Sequence, residues 1–95
     1  MKDFKLENKV VLVDFWAPWC RYCIILEPVL KSLEERLGEN FSVVKINVDE
    51  NPDIARSYGV LSLPTLMLFK DGKELNEDLR DRSEENLVKV ISKHL

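Results

Sequence analysis

Two cysteines stand three residues apart in Trp19-Cys20-Arg21-Tyr22-Cys23, and they are the only two in the chain. A bridge closing so short a loop constrains the unfolded chain very little and stabilises poorly, so chemistry is the better explanation for the pair. A sulfur at a helix start sees unpaired backbone N–H groups and the positive end of the helix dipole, both of which favour thiolate. The residues around the pair read as a strand-to-helix loop running into a helix, which makes Cys20 the expected nucleophile. Cys23 lies one turn further in, within bonding reach and more shielded, and suits the resolving role. Cys20 would attack a substrate disulfide, and Cys23 would then displace the mixed disulfide, leaving the substrate reduced; run backwards, the sequence oxidises a dithiol. Half of a zinc site is a weaker reading, since it needs two more ligands and the single histidine, His94, is near the far end of the chain. Two inert core cysteines would not need a loop rich in Trp, Pro and Arg around them.

The flanking elements follow from periodicity. Residues 9–15, KVVLVDF, form a β-branched run with one acid inside it, Asp14. From Cys20 onward Leu26, Val29, Leu30, Leu33 and Leu37 repeat at helical spacing, with Gly38 as the stop. Pro28 falls inside that helix and removes a hydrogen bond. Residues 41–49, FSVVKINVD, read as a second strand buried on both faces. Asn51-Pro52-Asp53 supplies an N-cap, a first-position proline and a first-turn acid for a short helix ending at Gly59. TLMLF, the Asp71-Gly72 hairpin turn and a weaker strand in KELNEDL come next. Ser83 then opens a last helix with Leu87, Val88 and Ile91 inward. The order βαβαββα, with a crossover of about five helical turns between the first two strands, predicts an α/β fold: a mixed four-stranded sheet with helices on both faces.

The 95 residues, 45% apolar and 33% charged, describe one domain over 1–95 that can bury a core without metal or staples. Fourteen basic against 17 acidic side chains give −3, with no basic patch for a phosphate backbone, so nucleic acid is not an expected partner. No apolar run approaches the ~20 residues that span a bilayer, so no membrane is expected. The opening MKDFKLENK has no central apolar stretch and does not read as a secretory signal. The expected location is the cytoplasm, where paired cysteines are more often catalytic than structural.

VLVDFWAPWCRYC resembles the active-site stretch of the thioredoxin family with the usual Cys-Gly-Pro-Cys altered at both inner positions. Pro28, KINVDENP, Tyr58-Gly59-Val60, Leu63-Pro64-Thr65 and Asp71-Gly72 follow in order and at family spacing. The resemblance implies the thioredoxin fold, and a protein disulfide reductase whose dithiol carries the electrons with no bound cofactor. Disulfide-containing proteins would be the substrates, and a flavin-dependent thioredoxin reductase would recharge a monomer. It implies that Asp14 serves as general base for Cys23, that Lys45 on the adjacent strand is a buried lysine holding the acid partly ionised, and that Pro64 is a cis-proline facing the cysteines. Trp19 and Leu63 would flank the sulfur as an apolar docking surface. A purely structural Asp14/Lys45 ion pair is the competing reading, and Trp16 is expected simply to pack in the core.

Three departures from the family bear on function. Arg21 and Tyr22 replace Gly and Pro, and a guanidinium beside Cys20 stabilises thiolate and makes the disulfide more oxidising, above the roughly −270 mV of thioredoxin. Leu79-Arg80-Asp81-Arg82 stands where the family has a glycine by the active site, so Arg80 is expected to reshape the docking face unless it is only part of a solvated loop. The stretch before the first strand is short, so the family's leading strand is expected to be missing. A more oxidising thiol oxidase or isomerase is the enzyme alternative. A partner-binding module on the same scaffold is the non-enzyme one, disfavoured because a scaffold would not require Cys20.

Overall fold

The computed structural model describes residues 9–95; the expectations placed on the opening stretch, that it holds no signal and no leading strand, lie outside them. The elements are β1 (Val10–Trp16), α1 (Arg21–Leu37), a 3-10 turn (Gly38–Asn40), β2 (Phe41–Asn47), α2 (Pro52–Ser57), β3 (Thr65–Lys70), β4 (Lys73–Leu75) and α3 (Glu84–Ser92). The sheet order is β2-β1-β3-β4, with β1 parallel to β2 and antiparallel to β3. The 17-residue α1 is the crossover that a parallel β1/β2 pair requires.

Strand alternation divides the core into two layers. Val10 and Leu12 meet Leu26, Leu30 and Leu33 of α1 and Leu87, Val90 and Ile91 of α3 on one face. Val11, Val13 and Phe15 meet Ala55, Ile54 and Tyr58 of the α2 segment on the other. There the Tyr58 ring lies 5.9 Å from Phe15 and edge-on to Phe69 at 6.0 Å. Asp14, two residues after Leu12, therefore points to the α1 face of a central strand.

Several local details differ from the periodicity reading. β2 is an edge strand in the described sheet, so Val43 and Val44 are only half-buried and Lys45 is exposed. Asn51 occupies the N-cap position of α2, but its amide donates to the Asn47 carbonyl instead of capping the helix. The fourth strand stops at Leu75, and NEDL beyond it runs as loop. Val88 is half-buried, and Val90 completes the inner face of α3. The Asp71-Gly72 turn has positive φ at both residues, 53° and 79°, as the two-residue hairpin demands. Ser83 caps α3 as expected, accepting from the Asn86 N–H at 3.3 Å.

Candidate active site

β1 ends at Trp16 and the chain turns through Ala17, Pro18 and Trp19 into α1, which folds back over the strand. The turn closes with the Cys20 N–H donating to the Ala17 carbonyl at 3.1 Å. Cys20 is the N-cap of α1, its backbone still extended, and its Sγ accepts from the Cys23 N–H at 3.3 Å. The first turn of α1 contains no acidic residue, so nothing there opposes the dipole's preference for a thiolate. Cys20 and Cys23 are paired as a disulfide, with Cα atoms 5.3 Å apart. Both are buried, Cys23 slightly the deeper, in a cluster with Ala17, and Trp16, Val48 and Leu63 pack against it.

The C-terminal half of β1 carries the acid that strand alternation turns toward α1. Asp14 is fully buried there, and neither carboxylate oxygen has a hydrogen-bond partner among the described residues. Burial pushes its pKa from the ordinary 3.8 up to about 6; the Lys45 ammonium pulls it partly back, and the Glu27 carboxylate adds to the rise. Lys45 is the register partner of Asp14 across β1 and β2, but it is not the buried lysine that the family resemblance implies. Its ammonium binds Glu27 of α1 and lies 4.6 Å from the centroid of the Trp16 ring. At the edge of the described sheet a long flexible stem can keep its charge near water. Trp16 is accordingly half-buried with a cation on its face rather than sealed in the core.

Three loops frame the pair. The Leu63-Pro64 peptide is cis, Pro64 is buried, and Leu63 packs on the cysteine cluster. On one side of this turn, a groove of about 420 Å³ runs between Trp19, Val48, Leu61 and Leu63. Trp19 is 69% exposed, but its indole N–H donates to Asp49 at 2.9 Å, which fixes the ring at the groove wall. On the other side, a groove of about 530 Å³ is lined by Pro64, Thr65, Asp78, Arg80 and Arg82. Leu79 of that last loop is buried in the core, while Asp78 grips its neighbour Arg80 at both guanidinium and backbone. Those hydrogen bonds hold the Asp78 carboxyl well below the usual range. Arg21 and Tyr22 are both exposed beside Cys20.

The sequence-expected residues Cys20, Cys23, Asp14, Trp19, Arg21, Tyr22, Leu63 and Pro64 thus converge on one end of the sheet, with Arg80 at the rim of the groove beyond Pro64. Sequence reading missed Glu27, Asp49 and Leu61. Glu27 stands four residues after Cys23, a spacing that shares a helix face, and that was its only sequence signal. Asp49 falls within the KINVDENP segment but reaches Trp19 from the loop after β2, and Leu61 carries no sequence signal. Among the described residues no group of acids, cysteines and histidine is arranged to hold a metal, and no helix is long and apolar enough to cross a membrane.

Comparison with known proteins agrees with this geometry. The thioredoxin family model matches residues 2–93. The thioredoxin of Bacillus subtilis (strain 168) is 45% identical over 86 residues, covering 90% of this chain and 83% of that protein. Thioredoxin of Staphylococcus aureus (strain Mu50) is 44% identical over 93 residues, 98% of this chain and 89% of that one. Among solved structures, a mutant thioredoxin from Halobacterium salinarum NRC-1 superposes with a TM-score of 0.81 at 44% identity, covering 92% of this chain and 75% of that one. Fasciola hepatica thioredoxin gives 0.81 at 30% identity, covering 94% and 84%. With a dithiol pair at a helix start and kinship over nearly its whole described length, the chain belongs to the thioredoxin family of thiol-disulfide oxidoreductases.

Proposed function

We propose that this protein reduces protein disulfides with Cys20 as nucleophile, Cys23 as resolving thiol and Asp14 as the proton acceptor for Cys23. The observation that carries the reading is the cysteine pair at the α1 N-cap, packed against the Leu63-Pro64 turn between two open grooves. Cys20 thiolate attacks one sulfur of the substrate disulfide, forming the mixed disulfide and releasing the other sulfur as a thiolate, which takes a proton from water. Asp14, ionised above about pH 6, takes the Cys23 proton. Cys23 then attacks the Cys20 sulfur and expels the second substrate thiolate. Two electrons pass to the substrate, and this protein becomes the disulfide. No bound cofactor is required, since the dithiol holds both electrons.

An extended substrate segment lies along the backbone beside Pro64, with apolar side chains against Trp19 and Leu63. Arg80, pinned by Asp78, narrows the far groove, so the protein serves fewer partners than a general thioredoxin. A flavin-dependent thioredoxin reductase recharges the pair, and the protein works as a monomer in the cytoplasm. The exposed Arg21 beside Cys20 favours a second reading, in which the same pair runs as a more oxidising exchanger.

Insulin reduction by dithiothreitol tests the first reading: the parent accelerates it, and Cys20→Ser abolishes the acceleration. A parent rate equal to background makes the protein a scaffold. Cys23→Ser traps substrates on Cys20 as mixed disulfides. Asp14→Asn slows the resolving step and leaves attack by Cys20 largely intact; a variant whose single-turnover rate matches the parent from about pH 6 to pH 9 removes Asp14 from proton transfer.

A further inference from the structure

Glu27 lies one helical turn beyond Cys23 on α1, and its carboxylate holds the Lys45 ammonium at 2.5 Å. Lys45 is in register with Asp14, and strand alternation sends both side chains to the α1 side of the sheet. A cation and a carboxylate at close range attract far more strongly inside or near a protein than in bulk water, so Lys45 has reason to turn to Asp14. It does not: the ammonium is engaged by Glu27 and the Trp16 face, and both Asp14 oxygens lack a hydrogen bond among the described residues. The Glu27/Lys45 pair is itself too exposed, 56% and 33% for the two side chains, to matter much for stability. Its effect lies in where it keeps the charge.

We infer that Glu27 is a positioning residue of the redox site, competing with Asp14 for the Lys45 ammonium and so leaving the buried acid, on the strand that leads into the Cys20/Cys23 loop, without a partner. The other groups facing Asp14 leave the competition to these three. β3 presents the apolar Leu66 in register with it. From α3, Leu87, Val90 and Ile91 enter that layer. On α1, Lys31 and Glu34 line the groove that Glu27 and Lys45 share, farther along the helix, with Glu34 taken up by the Val43 N–H. The raised Asp14 pKa has the matching causes, with burial first, Lys45 opposing and Glu27 reinforcing. A lone buried acid releases its proton near neutrality and can exchange it with Cys23, whereas one clamped by a lysine stays ionised to lower pH. That mechanistic consequence rests on the proton-transfer reading of Asp14; the positioning itself does not.

The test is an NMR titration of the Asp14 carboxyl carbon in the oxidised protein, in parent, Glu27→Gln, Lys45→Met and the double variant. Glu27→Gln is conservative and lies on the exposed side of α1. It lowers the Asp14 midpoint by roughly one pH unit, because the freed ammonium moves to Asp14 and a negative charge is lost. In the Lys45→Met background the same change moves the midpoint much less, since no cation remains to release. An unmoved midpoint in Glu27→Gln, or equal shifts in both backgrounds, overturns the inference. The pH dependence of the resolving rate in the same variants is the second readout. If the carboxyl midpoint moves and the rate midpoint stays, the positioning role of Glu27 stands and the proton-transfer role of Asp14 falls.

Discussion

Asp14 and Lys45 are register partners on adjacent parallel strands, yet the acid is fully buried without a hydrogen-bond partner among the described residues while the lysine is exposed and bound to Glu27. The charge pair that adjacent strands offer is thereby divided between the interior and the surface. The interior half is a carboxyl whose affinity for a proton differs between folded and unfolded chain.

That difference fixes the sign of a stability effect. In the folded protein burial raises the Asp14 pKa from 3.8 to about 6, so between those values the folded state holds a proton that the unfolded chain has released. The contribution of Asp14 is therefore most favourable below about pH 4 and is lost as pH rises through about 6, a swing of about 3 kcal/mol. Asp14→Asn removes this dependence. Urea denaturation of the oxidised proteins should show the variant gaining on the parent as pH rises from about 4 to about 7, by an amount on the order of 2 to 3 kcal/mol. A constant difference across that range would show that the buried acid is not titrating there.

Arg21 is exposed next to the N-cap sulfur, and its charge favours the Cys20 thiolate and hence the reduced form. Equilibration with glutathione should place the parent above roughly −270 mV, and Arg21→Gly should lower the potential by roughly 30 mV, a tenfold change in the equilibrium constant. A parent value at or below −270 mV would refute the assignment.

Leu79 and Arg80 are neighbours with opposite tasks. Leu79 is 8% exposed and packs with the α1/α3 core, so Leu79→Ala should cost about 2 to 3 kcal/mol in chemical denaturation. Arg80→Gly should leave the unfolding midpoint nearly unchanged, because the guanidinium is exposed and its partner Asp78 remains in solvent. Its effect belongs to docking: kcat/KM for insulin should rise several-fold while the rate with a small aromatic disulfide stays the same. Equal changes for both substrates would place Arg80 outside the docking face.

Asp49 fixes the Trp19 indole through one exposed hydrogen bond. Losing a bond of that kind releases about 1 kcal/mol of orientation, or roughly a fivefold effect. Asp49→Ala should therefore raise KM for a protein disulfide about fivefold with little change in kcat, and steady-state kinetics on insulin separates the two. A fall in kcat alone would mean that Asp49 acts on the chemistry.

Much of the site was legible because its markers are local. Cys20 and Cys23 announce themselves by spacing, Asp14 and Lys45 by their oddity within apolar strands, and the Asp71-Gly72 turn by the backbone angles that its residues allow. The elements were legible for the same reason, since hydrophobic period reports on one segment at a time. Errors fell where the outcome depends on neighbours. FSVVKINVD reads as fully buried by composition, and only its place at the edge of the described sheet leaves Lys45 exposed. Asn51 suits a cap, but in the fold its side-chain amide donates to the Asn47 carbonyl and makes no capping bond.

The sequence by itself determined the dithiol, the helix that carries it, the acid on the strand before it and the alternation that points this acid toward α1. Tertiary structure alone decided which charges meet. Glu27 is a surface residue of α1 and Lys45 a residue of β2, 18 positions apart, and their contact exists only because α1 crosses back over a parallel strand pair. Electrostatic partnership depends on distance in space and on burial, neither of which a linear pattern encodes, so the fold rather than the composition leaves the Asp14 carboxyl buried without a hydrogen-bond partner among the described residues.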